Sequence, residues 1–192
     1  MPFDALFLTA LSEELRPRAL GCRVDKVQQP ARDTVILALR GPGGGGRLLL
    51  TAAPNQPRIH FTDVPQENPA QPPMFCMLLR KHLTGGRLVS MQQPEMERLL
   101  DLTFDCTDEM GSPTRKHLIL EIMGRNSNLI LTGEDGRILD CLSDDTVDRL
   151  TKAVHHLTHE AHLLKGFLRF SSVNGILVST IAPKNLVLPL LR

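Results

Sequence analysis

The segment Pro72-Pro73-Met74-Phe75-Cys76-Met77-Leu78-Leu79-Arg80-Lys81-His82-Leu83-Thr84-Gly85-Gly86 places the strictest limit on what this chain can fold into. Proline is tolerated in a first helical turn because the amide it lacks has no partner there, and glycine is favoured just past a helix end. The run therefore predicts a short helix between firm stops. Met74, Phe75, Met77, Leu78 and Leu79 cover more than one face, which predicts a deeply buried element. Arg80, Lys81 and His82 fall in its last turn, where the helix dipole stabilises positive charge. A solvated basic end and a surface held against an anion both fit that pattern.

Before this helix, residues 3–16 carry Phe3, Leu6, Phe7, Ala10, Leu11 and Leu15 at helical spacing, with Asp4 as N-cap and Pro17 marking the exit. Short strands follow at 22–28, 34–40, 47–53 and 58–61. The connection Gly41-Pro42-Gly43-Gly44-Gly45-Gly46 reads as a flexible hairpin loop. It is not a phosphate loop, because Arg47-Leu48-Leu49-Leu50 opens a strand where that motif needs Lys-Ser or Lys-Thr at a helix start. Residues 63–73, with four prolines, form an extended linker.

After the central helix, strands are expected at 87–92 and 98–104, separated by Gln93-Pro94-Glu95-Met96. In the second, Leu100, Leu102 and Phe104 alternate with Asp101, Thr103 and Asp105, the period-two pattern of a half-buried strand. Arg98 shares the parity of the apolar set and Glu97 falls on the other side. A turn at 108–113 leads into a strand at 115–123, and the polar turn Gly124-Arg125-Asn126-Ser127-Asn128 into a strand beginning at Leu129. Glu134-Asp135-Gly136 turns the chain again into 137–140. Successive hairpins argue an antiparallel sheet and an α+β class rather than a doubly wound one. Past residue 143 the texture shifts. One helix over 144–165, with Ser143 as a cap, would carry His155, His156, His159 and His162 as a solvated face, since no metalloprotease spacing is present. The end, 167–192, is apolar and irregular.

A formal charge of +1 over 192 residues excludes a strongly basic histone-like binder and leaves room for a local basic patch. Cys22, Cys76, Cys106 and Cys141 are scattered singly, with no pair spaced for zinc or redox chemistry, so they read as reduced thiols of a cytoplasmic protein. No apolar run reaches the roughly 18 residues of a membrane span, and Met1-Pro2-Phe3-Asp4 lacks the basic opening of a signal peptide. The expectation is residence in the cytoplasm, with no metal and no cofactor. Neither Trp nor Tyr is present, so stacking on single strands would fall to seven Phe and the histidines.

Met1-Pro2-Phe3-Asp4, the run from Pro72 to Gly86, Glu121-Ile122-Met123-Gly124-Arg125 with Ser127-Asn128, and Asp135-Gly136-Arg137-Ile138-Leu139-Asp140 together resemble the NFACT N-terminal domain. That domain belongs to the RqcH/NEMF family of ribosome quality-control factors, also known as fibronectin-binding protein A-like. The resemblance covers 1–142 and leaves 143–192 as a divergent helical or irregular segment. The full-length family continues into helix-hairpin-helix, coiled-coil and NFACT-R regions, which nothing after Ser143 resembles, so the chain reads as truncated.

The resemblance implies a fold like the N-terminal domain of formamidopyrimidine-type DNA glycosylases, an antiparallel β-sandwich with flanking helices. It implies binding to the large ribosomal subunit carrying an obstructed peptidyl-tRNA, recruitment of tRNA, and untemplated C-terminal tailing, with alanyl-tRNA in bacterial relatives. The ribosome performs the peptide-bond chemistry, so the expectation is a binding factor and not an enzyme.

The family engages tRNA through an Asp-Arg pair, whose matching positions here are Glu97-Arg98; the carboxylate survives with one extra methylene. A planar guanidinium suits the task because it grips phosphate or base edges with two parallel hydrogen bonds. Arg125, Asn126, Ser127 and Asn128 form a second RNA-binding candidate, with Asn126 where relatives carry His or Tyr. Arg80 and Lys81 form a third, through phosphate contacts, as one side of a composite RNA-facing surface with Glu97-Arg98. Two other readings compete. A lyase using Pro2 as an N-terminal amine lacks the acidic residue that should follow that proline, since Phe3 stands there, and also lacks a zinc module. An adhesin that binds fibronectin would require non-classical export.

Overall fold

The computed structural model describes residues 4–95 and 97–143, together with the backbone of 167–173 and 176–182. The Pro2 of the competing lyase reading, the expected helix over 144–165 and its four histidines lie outside the described residues.

Helix α1 spans Ala5–Ala19 and starts where expected, with Asp4 accepting a 2.8 Å hydrogen bond from the Phe7 amide. Pro17 lies inside the helix rather than at its exit. The helix closes at Leu20, whose N–H reaches the Arg16 carbonyl at 2.9 Å. The buried stripe also differs from expectation. Leu8, Ser12, Leu15 and Ala19 face the core, while Leu6 is 69% and Phe7 50% exposed. Apolar residues lie on both sides of this helix, and the buried side includes Ser12, whose hydroxyl donates to the Thr9 carbonyl at 2.8 Å. Hydropathy alone therefore found Leu11 and Leu15 and missed Leu8, Ser12 and Ala19.

The strands are β1 (Arg23–Ala31), β2 (Thr34–Arg40), β3 (Gly46–Thr51), β4 (Arg58–Phe61), β5 (Arg87–Gln92), β6 (Leu99–Thr107), β7 (Pro113–Glu121), β8 (Asn128–Gly133) and β9 (Ile138–Cys141). They form one antiparallel sheet in the order β4-β3-β2-β1-β5-β6-β7-β8-β9. A separate hairpin pairs β10 (Phe167–Val173) with β11 (Ile176–Ala182). The large sheet is two meanders joined at one narrow seam. There Arg23 registers with Arg87, and Val24 exchanges hydrogen bonds with Gly85 and Gly86 at 2.8 Å. Both meanders supply one core, in which Val27, Leu37 and Leu50 join Leu102, Phe104, Leu118 and Leu131. The class is α+β, with a large antiparallel sheet and two helices.

Helix α2 spans Met74–Leu83, between Pro73 and Thr84, as the stops predicted. It is not buried on several faces. Phe75, Cys76, Leu79 and Leu83 enter the core, whereas Met74 is 76% and Met77 53% exposed. Ten residues lying on a sheet bury one stripe, and the methionines occupy the other.

The alternation expected for β6 also fails at its start. Leu99, Leu100, Asp101 and Leu102 are all buried, because Leu99, Ile119 and Ile130 build a second apolar cluster on the outer face. Asp101 sits in this face and approaches His117 Nδ1 at 2.9 Å.

The Gly41–Gly46 connection is the hairpin loop expected between β2 and β3, and it packs against the end of α1. A Cβ on Gly43 would sit 2.3 Å from the Pro17 carbonyl oxygen, and one on Gly45 2.2 Å from that of Leu39. Arg18 Nε donates to the Gly45 carbonyl at 2.6 Å, and its guanidinium lies 4.1 Å from the centroid of Phe61. The loop thereby packs over the end of α1 at Pro17 and Arg18.

Candidate nucleic-acid interface

Because β6 and β7 are antiparallel, the residues before β6 and after β7 meet at one end of the sheet. The chain leaves β5 at Gln92 and turns through 93–98 before β6 begins. The Glu97 amide donates to the Pro94 carbonyl at 3.0 Å, closing the turn, and Glu95 is held at φ +39°. Among the described residues it is the one non-glycine residue in the left-handed region, a conformation that persists only where its surroundings hold it.

Glu97 is half-buried and Arg98 exposed. The Arg98 carbonyl accepts a 2.8 Å hydrogen bond from the Ile122 amide, which extends the β6–β7 ladder by one step. The next residues on that neighbouring chain are Met123, Gly124 and Arg125, so the two candidate segments are brought together. Gly124 to Asn126 form a single 3-10 turn, entered with Gly124 at φ +59°. Arg125 and Asn126 are exposed at its tip. Among the described residues, neither the Arg98 nor the Arg125 guanidinium has a hydrogen-bond or ion-pair partner.

Ser127 and Asn128 do something different from what was expected of them. The Ser127 hydroxyl accepts from the Met123 amide at 2.9 Å and donates to the Gly124 carbonyl at 2.8 Å. Asn128 is fully buried. Its Oδ1 accepts from the amides of Leu129 at 2.9 Å and Ser143 at 3.1 Å, and its Nδ2 donates to the Ser143 carbonyl at 3.2 Å. Both side chains spend their polar atoms inside the fold, where they shape the turn that presents Arg125.

Arg80 and Lys81 are not part of this end. Lys81 Nζ reaches Glu109 Oε1 at 2.8 Å, in the hairpin that joins β6 to β7. The nine residues of β6 rise at ~3.3 Å each, so roughly 26 Å of strand separates the two basic groups. The composite surface expected from the sequence is thus two separate ones. Arg80 Nε is occupied by the Val27 carbonyl at 2.9 Å. Next to Lys81, burial and the charges of Lys116 and Lys81 hold the His82 pKa below its ordinary value. The Lys81–Glu109 contact in turn lowers the pKa of the exposed Glu109 carboxyl.

Sequence reasoning missed Gln93 and the Asp101–His117 pair. Gln93 sits in a segment legible only as a separator. Asp101 has the parity of a solvent-facing strand residue, and only burial of the outer face reveals its partner. No cluster of three or more metal-binding side chains occurs among the described residues, and no described helix is long and apolar enough to cross a membrane.

Residues 4–150 match the model of the family described as NFACT N-terminal and middle domains, and 113–192 match a domain of unknown function, DUF4130. Rqc2 homolog RqcH of Bacillus subtilis is 42% identical over 132 residues, which is 69% of this chain and 23% of the relative. Ribosome quality control complex subunit NEMF of Homo sapiens is 34% identical over 140 residues, 73% of this chain and 12% of the relative. The chain therefore spans about a quarter or less of the curated relatives it matches. Among solved structures, the N-terminal domain of fibronectin-binding protein PavA from Streptococcus pneumoniae superposes with a TM-score of 0.71 at 36% identity. That match covers 76% of this chain and 57% of the other. The N-terminal part of the fibronectin/fibrinogen-binding protein of Streptococcus suis gives 0.73 at 32% identity, over 77% and 55% of the two chains. With a family model matched over 147 of its 192 residues, this chain belongs to the family of NFACT N-terminal and middle domains.

Proposed function

We propose that this chain is the tRNA- and large-subunit-binding domain of a cytoplasmic ribosome-associated quality-control factor. The observation that carries the reading is Arg98, an exposed guanidinium without a partner among the described residues, on a backbone fixed by the Ile122 hydrogen bond. A guanidinium that gives up no existing hydrogen bond engages phosphate or a base edge at low cost. Arg125 adds a second such cation at the same end, with Asn126 beside it and Glu97 next to Arg98 in the chain. Ser127 and Asn128 hold the turn. Arg80 and Lys81, at the far end of β6, form a separate phosphate contact suited to RNA of the large subunit.

In this reading residues 1–142 are the binding domain and 143–192 a divergent appendage. The two meanders correspond to the layers of a glycosylase-type β-sandwich used for binding without base-excision chemistry. The partner is a large subunit holding an obstructed peptidyl-tRNA, and the recruited species is an alanyl-tRNA, as in the bacterial relatives. The relatives' names support the ribosome quality-control role, and in this reading the ribosome supplies the peptide-bond chemistry.

The test is recovery of tRNA and large subunits on the immobilised chain, comparing wild type with Arg98→Ala. Loss of tRNA in the variant is expected; undiminished tRNA recovery overturns the assignment. A second reading, binding to fibronectin, is favoured by the names of the two superposed structures. Saturable binding of fibronectin without tRNA binding would decide for it.

A further inference from the structure

We propose that Gln93 is the positioning residue of the Arg98 contact, an inference that rests on the tRNA-binding role proposed above. The Gln93 carboxamide stands between α1 and the turn before β6. Its Nε2 donates to the Glu97 carbonyl at 2.6 Å and to the Ala5 carbonyl at 3.0 Å, and its Oε1 accepts from the Thr9 hydroxyl at 2.6 Å. The orientation of the amide is forced, because two carbonyl oxygens can be satisfied only by an N–H donor.

The Glu97 carbonyl belongs to the peptide plane that contains the Arg98 nitrogen. Gln93 therefore holds the backbone on the near side of Arg98, as the Ile122 amide holds its carbonyl at 2.8 Å on the far side. Two fixed peptide planes set the direction in which the Arg98 Cα–Cβ bond leaves the chain. The same carboxamide ties that direction to the first turns of α1, the rigid 15-residue helix on which Leu8, Ser12, Leu15 and Ala19 enter the core. Glu95 at φ +39° is the conformational consequence: the turn is drawn tight enough to bring Glu97 back over Gln93. A side chain whose backbone root is already fixed loses less freedom on binding, which favours affinity.

The experiment is a double-mutant cycle on the full chain, read by fluorescence anisotropy of labelled tRNA. Gln93→Ala should weaken tRNA binding about fivefold in the wild-type background. The same substitution should have almost no effect in an Arg98→Ala background, since there is no guanidinium left to position. An equal loss in both backgrounds, or no loss in the first, overturns the proposal while leaving Arg98 in its role. If Arg98→Ala itself leaves binding unchanged, the tRNA-binding role falls and this inference falls with it. Thr9→Val removes the bond to Oε1, together with the same hydroxyl's 3.0 Å contact to the Ala5 carbonyl within α1, and should give a smaller loss that is again confined to the Arg98 background. It carries the test with the same two overturning outcomes if Gln93→Ala fails to fold.

Discussion

Asn128 and Ser143 are joined by a reciprocal pair of hydrogen bonds, the side-chain amide of the first taking both partners of the second's backbone at 3.1 and 3.2 Å. A side chain here performs the work of one more step in the β8–β9 ladder, just beyond the Leu142 amide bonded to the Leu129 carbonyl at 3.0 Å. Asn128 is fully buried, so truncation leaves backbone groups without partners. Asn128→Ala should cost about 1–3 kcal/mol in urea denaturation, and tRNA affinity per folded molecule should stay within about twofold of wild type. A selective loss of tRNA binding at unchanged stability would return Asn128 to the interface.

The two basic sites should separate in function because they lie at opposite ends of β6. Arg98→Ala should weaken tRNA binding by about 1–3 kcal/mol and leave capture of large subunits largely intact. Lys81→Ala should do the reverse, reducing subunit capture in a salt-dependent way. The Lys81–Glu109 pair is more than half exposed on both sides, so its loss should leave thermal stability nearly unchanged. Parallel filter-binding and sedimentation assays on both variants check the division.

The glycine loop makes a steric prediction. Gly43→Ala places a Cβ 2.3 Å from the Pro17 carbonyl oxygen, a backbone atom that cannot swing aside. The denaturation midpoint should fall by an amount equivalent to about 1–3 kcal/mol, since the loop must lift from the end of α1. A midpoint equal to that of wild type would mean that the loop does not close on α1.

His82 gives stability a pH dependence whose sign is fixed by its environment. Burial, reinforced by Lys116 and Lys81, lowers its pKa in the folded chain, with Glu109 opposing. The unfolded chain takes up the proton near the ordinary value of ~6.5, so between that value and the lowered one the unfolded state binds more protons. The contribution is neutral above that window and becomes destabilising as pH falls through it. His60, lowered by burial and by Arg58, acts in the same direction. His82→Gln should flatten the acid side of a plot of melting temperature against pH and leave the values above pH 7 in place.

The stops of α2, the Asp4 cap, the run of hairpins and the α+β class were legible because each depends on residues close in sequence: paired prolines and glycines, an aspartate three residues before the amide it caps, alternation across a tight turn. The NFACT resemblance was legible for a similar reason, as contiguous motifs. Burial was less so. Leu6 and Phe7 on α1, Met74 and Met77 on α2, and Asp101 on β6 were all misjudged, because hydropathy records which residues tolerate burial and not which face is covered. The candidate site was half legible. Arg98 and Arg125 came from the family resemblance, while Ser127 and Asn128 look the same in sequence whether they bond to RNA or to their own backbone.

By itself the sequence determined the local elements of the matched domain, their order and the identity of the family, since backbone propensity and short motifs act over a few residues, but it left the β10–β11 hairpin in a segment that reads as irregular. Only the tertiary structure decided which groups meet. Antiparallel pairing of β6 with β7 brings the Arg98 segment beside the Arg125 segment and sends Lys81 to the other end, and the Gln93 carboxamide ties the Glu97 carbonyl to that of Ala5 on α1. These are contacts between residues far apart in the chain, set by sheet register and by which side of each helix the core takes, and no local pattern encodes them.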